Sequence, residues 1–157
     1  MLPEKKYMLL AIKHARSNFA TDSGGPFGAV IVKEDRVIAA AANSVLENDP
    51  TAHAEINAIR LACEKLKTYD LTGTVIYSTT EPCPMCFSAV HWARIDAVIY
   101  GTSISDVAAL GFNELSLSNQ QIKQIGGSPV NIIPSFMHEE CRQMLKDWQN
   151  LKNKRTY

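Results

Sequence analysis

The sequence lacks both the long apolar run of a membrane helix and an excess of charge of one sign. A membrane helix needs roughly 18 consecutive apolar residues. The N-terminal region is interrupted by Lys13, His14 and Arg16, which also argues against a secretory signal. The 16 basic residues balance the 16 acidic ones, whereas proteins that neutralise phosphates usually carry a basic excess. We therefore expect a cytoplasmic protein that acts without a membrane, and a nucleic-acid partner is not the favoured interpretation.

The sequence also lacks internal repeats, low-complexity tracts and linkers, which favours a single domain over residues 1–157. That length suits one hydrophobic core. An apolar fraction of 46% with a charged fraction of 20% is typical of a folded globular domain. Only four cysteines are present, and thiols stay reduced in the cytoplasm. A Cys-x-x-Cys pair there indicates a metal site or a redox centre more often than a structural disulfide.

Hydrophobic periodicity predicts an α/β protein with three layers, α/β/α. Helices are predicted over residues 4–19, from residue 50, from residue 81 and over 137–150, and strands over 29–33, 36–40, 74–78, 97–101 and 130–133. The first two strands form a predicted hairpin, whereas the strand–helix–strand order of residues 74–101 favours parallel pairing. Residues 102–128 are polar and irregular, with a helical piece among them.

The second helix has the clearest predicted start and core face. Asp49 is its predicted N-cap, and Pro50 occupies the first helical position, where proline is well tolerated. The predicted core stripe of this helix consists of Ala52, Ile56, Ile59, Cys63 and Leu66.

Two short motifs carry metal-binding side chains. His53-Ala54-Glu55 lies early in the second predicted helix, and Cys83-Pro84-Met85-Cys86 lies at the start of the third. Imidazole and thiolate are the protein ligands that zinc prefers. A helix N-terminus favours thiolate over thiol, because its free N–H groups present partial positive charge. The two motifs together therefore predict one zinc ion held by His53, Cys83 and Cys86.

The spacing of His53 and Glu55 indicates where the metal lies. Residues two apart on a helix point roughly 200° from each other, so both can serve one centre only if it lies beyond the helix end. Three ligands leave a position open for water, which is typical of a catalytic zinc rather than a structural one. His91 is the one candidate for a fourth ligand, but it lies too far along the helix from Cys86. Glu55 is then the predicted carrier of protons.

At these residues the sequence resembles the cytidine deaminase superfamily, and within it the small bacterial guanine deaminases. The motif His-x-Glu followed by Pro-Cys-x-x-Cys is a signature of zinc nucleobase deaminases. The resemblance spans nearly the whole chain and is dense over residues 24–101. The stretches that carry it are Gly24–Val32, Asn48–Glu55, Glu81–Cys86, Trp92–Arg94, Gly111-Phe112 and the final Tyr157.

The resemblance implies more than the residues alone establish. It implies hydrolytic deamination of guanine to xanthine and ammonia, with one zinc ion per subunit and Glu55 delivering protons to the ring and to the departing amine. It also implies a five-stranded mixed sheet and a homodimer that exchanges its C-terminal segment. The substrate-binding residues that it implies are Phe27, Asn43, Ala54, Trp92 and, from the neighbouring chain, Tyr157.

The resemblance includes one departure from the family pattern. The family usually has an acidic residue directly after Gly-Phe, where it assists proton transfer. This sequence has Gly111-Phe112-Asn113-Glu114. Glu114 is therefore the candidate for a second catalytic acid, with a longer side chain than aspartate.

Several alternatives remain open at this point. The strongest is a tRNA-specific adenosine deaminase, which shares Asp-Pro-Thr-Ala-His-Ala-Glu and Glu-Pro-Cys; cytosine, cytidine and guanosine are further candidate substrates. A zinc-stabilised interaction domain would bind metal without activity. A thiol redox protein would form a reversible disulfide between Cys83 and Cys86 and bind no zinc.

Overall fold

The computed structural model describes residues 2–157 as one five-stranded mixed sheet between two layers of helices. The strand order is β2-β1-β3-β4-β5. The strands are β1 (Gly28–Lys33), β2 (Arg36–Ala42), β3 (Thr74–Thr80), β4 (Ala97–Thr102) and β5 (Asn131–Ile133). The helices are α1 (Lys5–Ser17), α2 (Ala54–Leu66), α3 (Pro84–Trp92), α4 (Ile104–Ala108), α5 (Asn119–Gly126) and α6 (His138–Gln149).

The pairing of the strands confirms the predicted hairpin and the predicted parallel pair. β1 pairs antiparallel with β2 and with β3, whereas β3 with β4 and β4 with β5 are parallel. All seven residues of β3 are buried, as expected for a central strand covered on both faces. Within residues 2–157, no helix has both the length and the apolar character needed to cross a bilayer.

Side chains that alternate along β3 separate the core into two parts. Tyr77 packs with Met8 of α1 and Met144 of α6 on one face. Ile76 packs with Ala58 of α2 and Phe87 of α3 on the other. Successive side chains of a strand point to opposite faces, so a single strand joins both helical layers. The three-layer architecture predicted from the sequence is confirmed.

The predicted starts of α2 and α3 were wrong by a few residues. α2 begins at Ala54 with His53 as its N-cap. The Asp49 carboxylate instead accepts hydrogen bonds from the backbone N–H and the hydroxyl of Thr51, at 2.8 and 2.6 Å, and such a local turn competes with a helix start. α3 begins at Pro84 with Cys83 as its N-cap.

The buried face of α2 also differs from the predicted stripe. Ala54, Ala58 and Ala62 are fully buried, whereas Ile59, Cys63 and Leu66 are only partly buried against the same core. Alanine has only a methyl group as its side chain, so a helix face made of alanine can approach the sheet closely. The larger residues then cover the margins of the interface.

The polar segment over residues 102–128 contains two short helices rather than one helical piece. α4 and α5 each begin with a capping box, formed by Ser103 with Asp106 and by Ser118 with Gln121. Residues 110–118 between them have no helix or strand. This irregular segment matters for function, because it reaches the pocket described below.

Candidate active site

The N-termini of α2 and α3 meet at one point beside the sheet. His53 is the N-cap of α2, Cys83 is the N-cap of α3, and Cys86 lies in the first turn of α3. One ligand atom from each of these three residues lies within 4.8 Å of the other two. The centre therefore lies beyond the helix ends, as the spacing of His53 and Glu55 predicts.

The distances between these atoms fit a tetrahedral zinc ion. Nδ1 of His53 is 3.6 Å from Sγ of Cys83 and 3.5 Å from Sγ of Cys86. Zinc bonds of about 2.0 Å to nitrogen and about 2.3 Å to sulfur at tetrahedral angles would place those atoms about 3.5 Å apart. Among the described residues these three form the only cluster of this kind. Nδ1 of His91 lies 2.9 Å from the Ser128 hydroxyl instead.

The two cysteines are prepared for a metal cation by their mutual contact. A hydrogen bond from Cys86 lowers the pKa of the Cys83 thiol to about 4, and the nearby His53 lowers it further against the effect of burial. The same hydrogen bond raises the pKa of Cys86 well above its ordinary value. The pKa values of the two thiols are therefore shifted in opposite directions. Zinc ligation requires deprotonated thiols.

Glu55 lies at the bottom of the site in the first turn of α2. It is buried, with 6% of its surface exposed, and Oε1 accepts a hydrogen bond of 2.8 Å from the Ser78 hydroxyl. Burial raises the pKa of its carboxyl group above the ordinary value, although the charge on His53 and the bond from Ser78 oppose this. A carboxyl group with a raised pKa is suited to take up and return a proton near neutral pH.

A small pocket of about 30 Å³ opens onto these groups. Besides the metal ligands His53 and Cys83, five residues of its lining were identified from the sequence as catalytic or substrate-binding residues. The full lining consists of Phe27, Asn43, His53, Glu55, Thr80, Glu81, Cys83, Glu114 and Tyr157. The pocket therefore brings together side chains from sequence positions 27 to 157.

Asn43 presents a free amide group in this pocket. It directly follows β2 and has only 1% of its surface exposed. Oδ1 accepts from the backbone N–H of Val45 at 3.1 Å, which fixes the orientation of the amide. Nδ2 has no hydrogen-bond partner within the described chain. A buried donor without a partner is energetically unfavourable, so this atom is a natural contact for an acceptor on a ligand.

The last residues of the sequence close the pocket of their own chain. The Tyr157 hydroxyl accepts a hydrogen bond from the backbone N–H of Gly25 at 3.2 Å. The backbone oxygen of Tyr157 accepts one from the N–H of Asn113 at 3.0 Å. The Tyr157 ring lies 5.3 Å from Phe112, which in turn lies 5.1 Å from Phe27. The exchange of this segment between two chains, which the resemblance implies, stays a prediction.

Two residues that the resemblance implies at the substrate site lie elsewhere in the described structure. Trp92 is the last residue of α3, has 79% of its surface exposed, and borders a different cavity with Tyr69 and Asp96. α3 begins at the metal ligands and runs away from them, so its last residue cannot line its own pocket. Ala54 is fully buried in the core beneath the site.

The sequence analysis missed three residues of the site. Ser78 contacts Glu55, whereas Thr80 and Glu81 line the pocket. A signal for them exists, because all three lie at or just after the carboxyl end of a predicted buried strand that leads directly into Pro82-Cys83. Ligands of open α/β sheets bind at such strand ends.

Comparison with known proteins identifies the family. The family model described as "Cytidine and deoxycytidylate deaminase zinc-binding region" matches residues 1–102. A guanine deaminase from Bacillus subtilis (strain 168) is 41% identical over 135 residues, which is 85% of this chain and 86% of that protein. A tRNA-specific adenosine deaminase from Buchnera aphidicola subsp. Schizaphis graminum is 34% identical over 151 residues, or 95% and 94% of the two chains.

A solved structure agrees with this assignment. The guanine deaminase from Nitrosomonas europaea superposes with a TM-score of 0.83 at 28% identity, and the match covers 95% of this chain and 86% of that one. The family model describes a zinc-binding region, and the donor set and distances at His53, Cys83 and Cys86 fit that metal. The chain therefore belongs to the zinc-binding cytidine and deoxycytidylate deaminase family and is a zinc-dependent hydrolytic deaminase.

Proposed function

We propose that this deaminase converts guanine to xanthine and ammonia. The observation that carries the proposal is the unpartnered Nδ2 of Asn43, buried in the same pocket as the three ligand atoms and Glu55. A purine offers ring nitrogens and, in guanine, a carbonyl oxygen as acceptors for such a donor. The aromatic ring of Phe27 lines the pocket, is supported from behind by Phe112, and supplies an apolar wall for a flat base.

His53, Cys83 and Cys86 would hold the zinc ion. When bound, zinc supplies a water molecule acidic enough to act as a nucleophile near neutral pH. Glu55 would take one proton from the attacking water and deliver it to a ring nitrogen. It would then move the remaining proton of that water, from the hydroxyl group now on the ring carbon, to the departing amine. Ser78 holds the carboxylate of Glu55 in place for both transfers. Asn43 orients the base so that the carbon that bears the amino group faces the attacking water.

Glu114 is proposed as the second acid of the reaction. It lies in the pocket wall. Burial, followed by the negative charge on Cys83, raises the pKa of its carboxyl group above the ordinary value. Its carboxyl group would hydrogen-bond the amine while Glu55 delivers the proton to it. Glu114 lies one residue after the position at which the family usually has its acid. The segment that carries it has no helix or strand, so its backbone is not bound to a regular repeat.

The closed pocket supports a free base as the substrate. The cavity of about 30 Å³ equals roughly the share of one water molecule in the liquid. A base needs more room than this cavity offers, so we expect a lining residue of the C-terminal segment, Tyr157, to move when a base binds. A nucleotide within a polynucleotide would hold that segment open.

A second candidate is deamination of adenosine in tRNA. The identity to the Buchnera tRNA-specific enzyme over 94% of its length favours it. Lys152, Lys154 and Arg155 line a separate cavity and would be available to contact phosphates. However, Arg155 is paired with Asp22 at 3.2 Å, and the chain carries no net charge. Guanine remains the substrate that the closed pocket favours.

We also propose that two copies associate in the cytoplasm. The layer formed by α2, α3 and α5 exposes four large apolar side chains, with exposed fractions between 46% and 82%. These side chains are Leu61, Tyr69, Trp92 and Ile125. A second copy would remove them from water, which is favourable. All four cysteines are free thiols, which supports the cytoplasmic location.

The proposal is tested by ammonia release from a panel of substrates. Zinc-loaded protein would be given guanine, adenine, cytosine, guanosine, cytidine and a tRNA anticodon stem-loop. We expect release from guanine. Release from the stem-loop alone would support the second candidate, and bound zinc without release from any member of the panel would support the non-enzymatic interaction domain. A reversible disulfide in protein without zinc would support a redox function.

A further inference from the structure

The buried carboxylate of Glu81 joins the N-termini of two helices. Glu81 follows β3, has 7% of its surface exposed and precedes the metal-binding cysteines by two residues. Oε1 accepts from the backbone N–H of Asn119 at 2.8 Å, and Oε2 accepts from the backbone N–H of Ile104 at 3.3 Å. Asn119 is the first residue of α5 and Ile104 the first residue of α4. One carboxylate therefore serves as a cap for both helices.

The local sequence of each helix cannot supply this cap. The first four N–H groups of a helix have no partner within it. In α5 the Ser118–Gln121 capping box satisfies the N–H groups of Ser118 and Gln121, and Ser103 and Asp106 do the same in α4. The N–H of the first helical residue is left over in each case. Glu81 accepts from this N–H group in both helices from elsewhere in the chain, with a negative charge that suits helix N-termini.

The segment between these two helix starts contributes directly to the pocket. Phe112 packs against Phe27 and Tyr157, Asn113 donates to the carbonyl of Tyr157, and Glu114 lines the cavity. Residues 110–118 have no helix or strand to hold them. Their conformation depends on how firmly the two ends of the segment are fixed, because closing the ends of a loop removes much of its freedom.

A second contact links the same segment to the metal-binding motif. Nδ2 of Asn119, which is fully buried, donates to the carbonyl of Pro82 at 2.5 Å. Pro82 directly precedes Cys83. The residues before the zinc ligands therefore hold the start of α5 through a side chain and through the backbone. This connection fixes the position of the irregular segment relative to the metal site.

We propose that Glu81 is a positioning residue for the deamination, which acts by fixing residues 104–119 so that Glu114 stays in the pocket wall with Glu55. Glu81 borders the pocket, but backbone N–H groups of the segment engage both of its oxygens. Its effect is therefore assigned to the segment rather than to contact with the base. This inference rests on the role proposed above for Glu114.

The first test is amide hydrogen exchange in zinc-loaded Glu81→Gln protein. Glutamine keeps one acceptor but turns an NH₂ group towards the second N–H, so one of the two helix starts is released. We expect exchange in residues 105–118 to become about tenfold faster or more, with α2, α3 and the zinc content unchanged. The control is Glu64→Gln, which removes the same charge from an exposed position on α2 and should exchange like the wild type. Unchanged exchange in residues 105–118 would refute the proposal.

The second test is a double-mutant cycle with Glu114. We expect Glu81→Gln to lower kcat for guanine about tenfold and to have no further effect in the Glu114→Gln background. Fully additive losses would mean that Glu81 acts independently of Glu114, and the proposal would be wrong. Glu81→Asp keeps both acceptor oxygens and should recover part of the activity and of the exchange protection. If Glu81→Gln fails to fold, Glu81→Asp takes its place, and wild-type exchange together with wild-type kcat in that variant would contradict the inference.

The two proposals fail in different ways. Wild-type protein that releases no ammonia from guanine contradicts the proposed function. The cycle is then run with whichever member of the substrate panel releases ammonia. The hydrogen-exchange measurement requires no substrate. Exchange at the wild-type rate in residues 105–118 of Glu81→Gln therefore rejects the positioning role even when guanine is turned over.

Discussion

Glu55 and Ser78 show how a single residue pair prepares the chemistry. The effective penalty for burying an ionised carboxylate is on the order of several kcal/mol, and the structure reduces it by a hydrogen bond from Ser78 and by the adjacent His53. The remaining penalty raises the pKa of Glu55, which is the property that a proton carrier needs. The neighbouring Cys83 has a lowered pKa of about 4, so the same small site favours a proton on one group and disfavours it on another.

Asn43 gives the first prediction at the scale of a residue. Asn43→Ala removes the unpartnered Nδ2 donor, so we expect the KM for guanine to rise about tenfold while the zinc content stays the same. The control is Asn153→Ala, an exposed asparagine in the C-terminal segment. Steady-state kinetics with metal analysis would check this. A KM equal to that of the wild type would exclude Asn43 from substrate binding.

Cys86 gives the second prediction at the scale of a residue. Cys86→Ser replaces a zinc ligand, so we expect loss of bound zinc and a lower midpoint of thermal unfolding, because the free energy of metal binding is also free energy of folding. Cys63→Ser, which changes a partly buried thiol on α2 outside the site, should keep the metal. The measurements are zinc content by elemental analysis and thermal unfolding. Full zinc content in Cys86→Ser would mean that the metal lies elsewhere.

At the scale of the elements, the sequence predicted the strands well and the helix starts less well. The buried strands consist of β-branched residues between turn signals, so their limits follow from local pattern. Asp49 and Pro50 form an acceptable helix start, yet Thr51 satisfies Asp49 first and the helix begins four residues later. Local signals alone could not decide between these two structures, because the choice depends on how His53 is placed against α3.

The irregular segment illustrates what the sequence could not supply. Glu114 was identified from the resemblance, but its position depends on Glu81, which lies 33 residues earlier in the chain. A contact over that separation leaves no periodic signal. The zinc ligands, in contrast, could be predicted with their geometry, because each lies at the start of a helix and helix starts are marked in the sequence.

The C-terminal segment gives a prediction about which chain closes the pocket. Glu55→Gln lacks the proton carrier and Tyr157→Ala lacks the residue that closes the pocket, so each variant alone should have low activity. If the segment stays on its own chain, in contact with Gly25 and Asn113, subunits of the two variants unfolded and refolded together will not recover activity. Recovery of activity would show that the segment is exchanged, because a mixed dimer then contains one complete site.

At the scale of the whole molecule, the exposed apolar side chains of the α2, α3 and α5 layer predict the dimer interface. Trp92→Glu places a charge in that surface, so we expect the dimer to dissociate at micromolar concentration. Leu9→Glu is the matched control, because Leu9 is also exposed, at 52%, but lies on α1 in the opposite layer. Light scattering or sedimentation would report the mass. A monomeric wild type, or dissociation by Leu9→Glu alone, would contradict this interface.

The fold as a whole holds three helix starts around one pocket while two separate cores stabilise it. α2 and α3 supply the metal ligands, and α5 fixes the segment that carries Glu114. The central claim is that this arrangement deaminates guanine through Glu55. The most direct test is ammonia release from guanine by wild type and Glu55→Gln at equal zinc content. We expect turnover of guanine by the wild type and a rate of ammonia release about a thousandfold lower in the variant. Equal rates in the two proteins would contradict the role of Glu55.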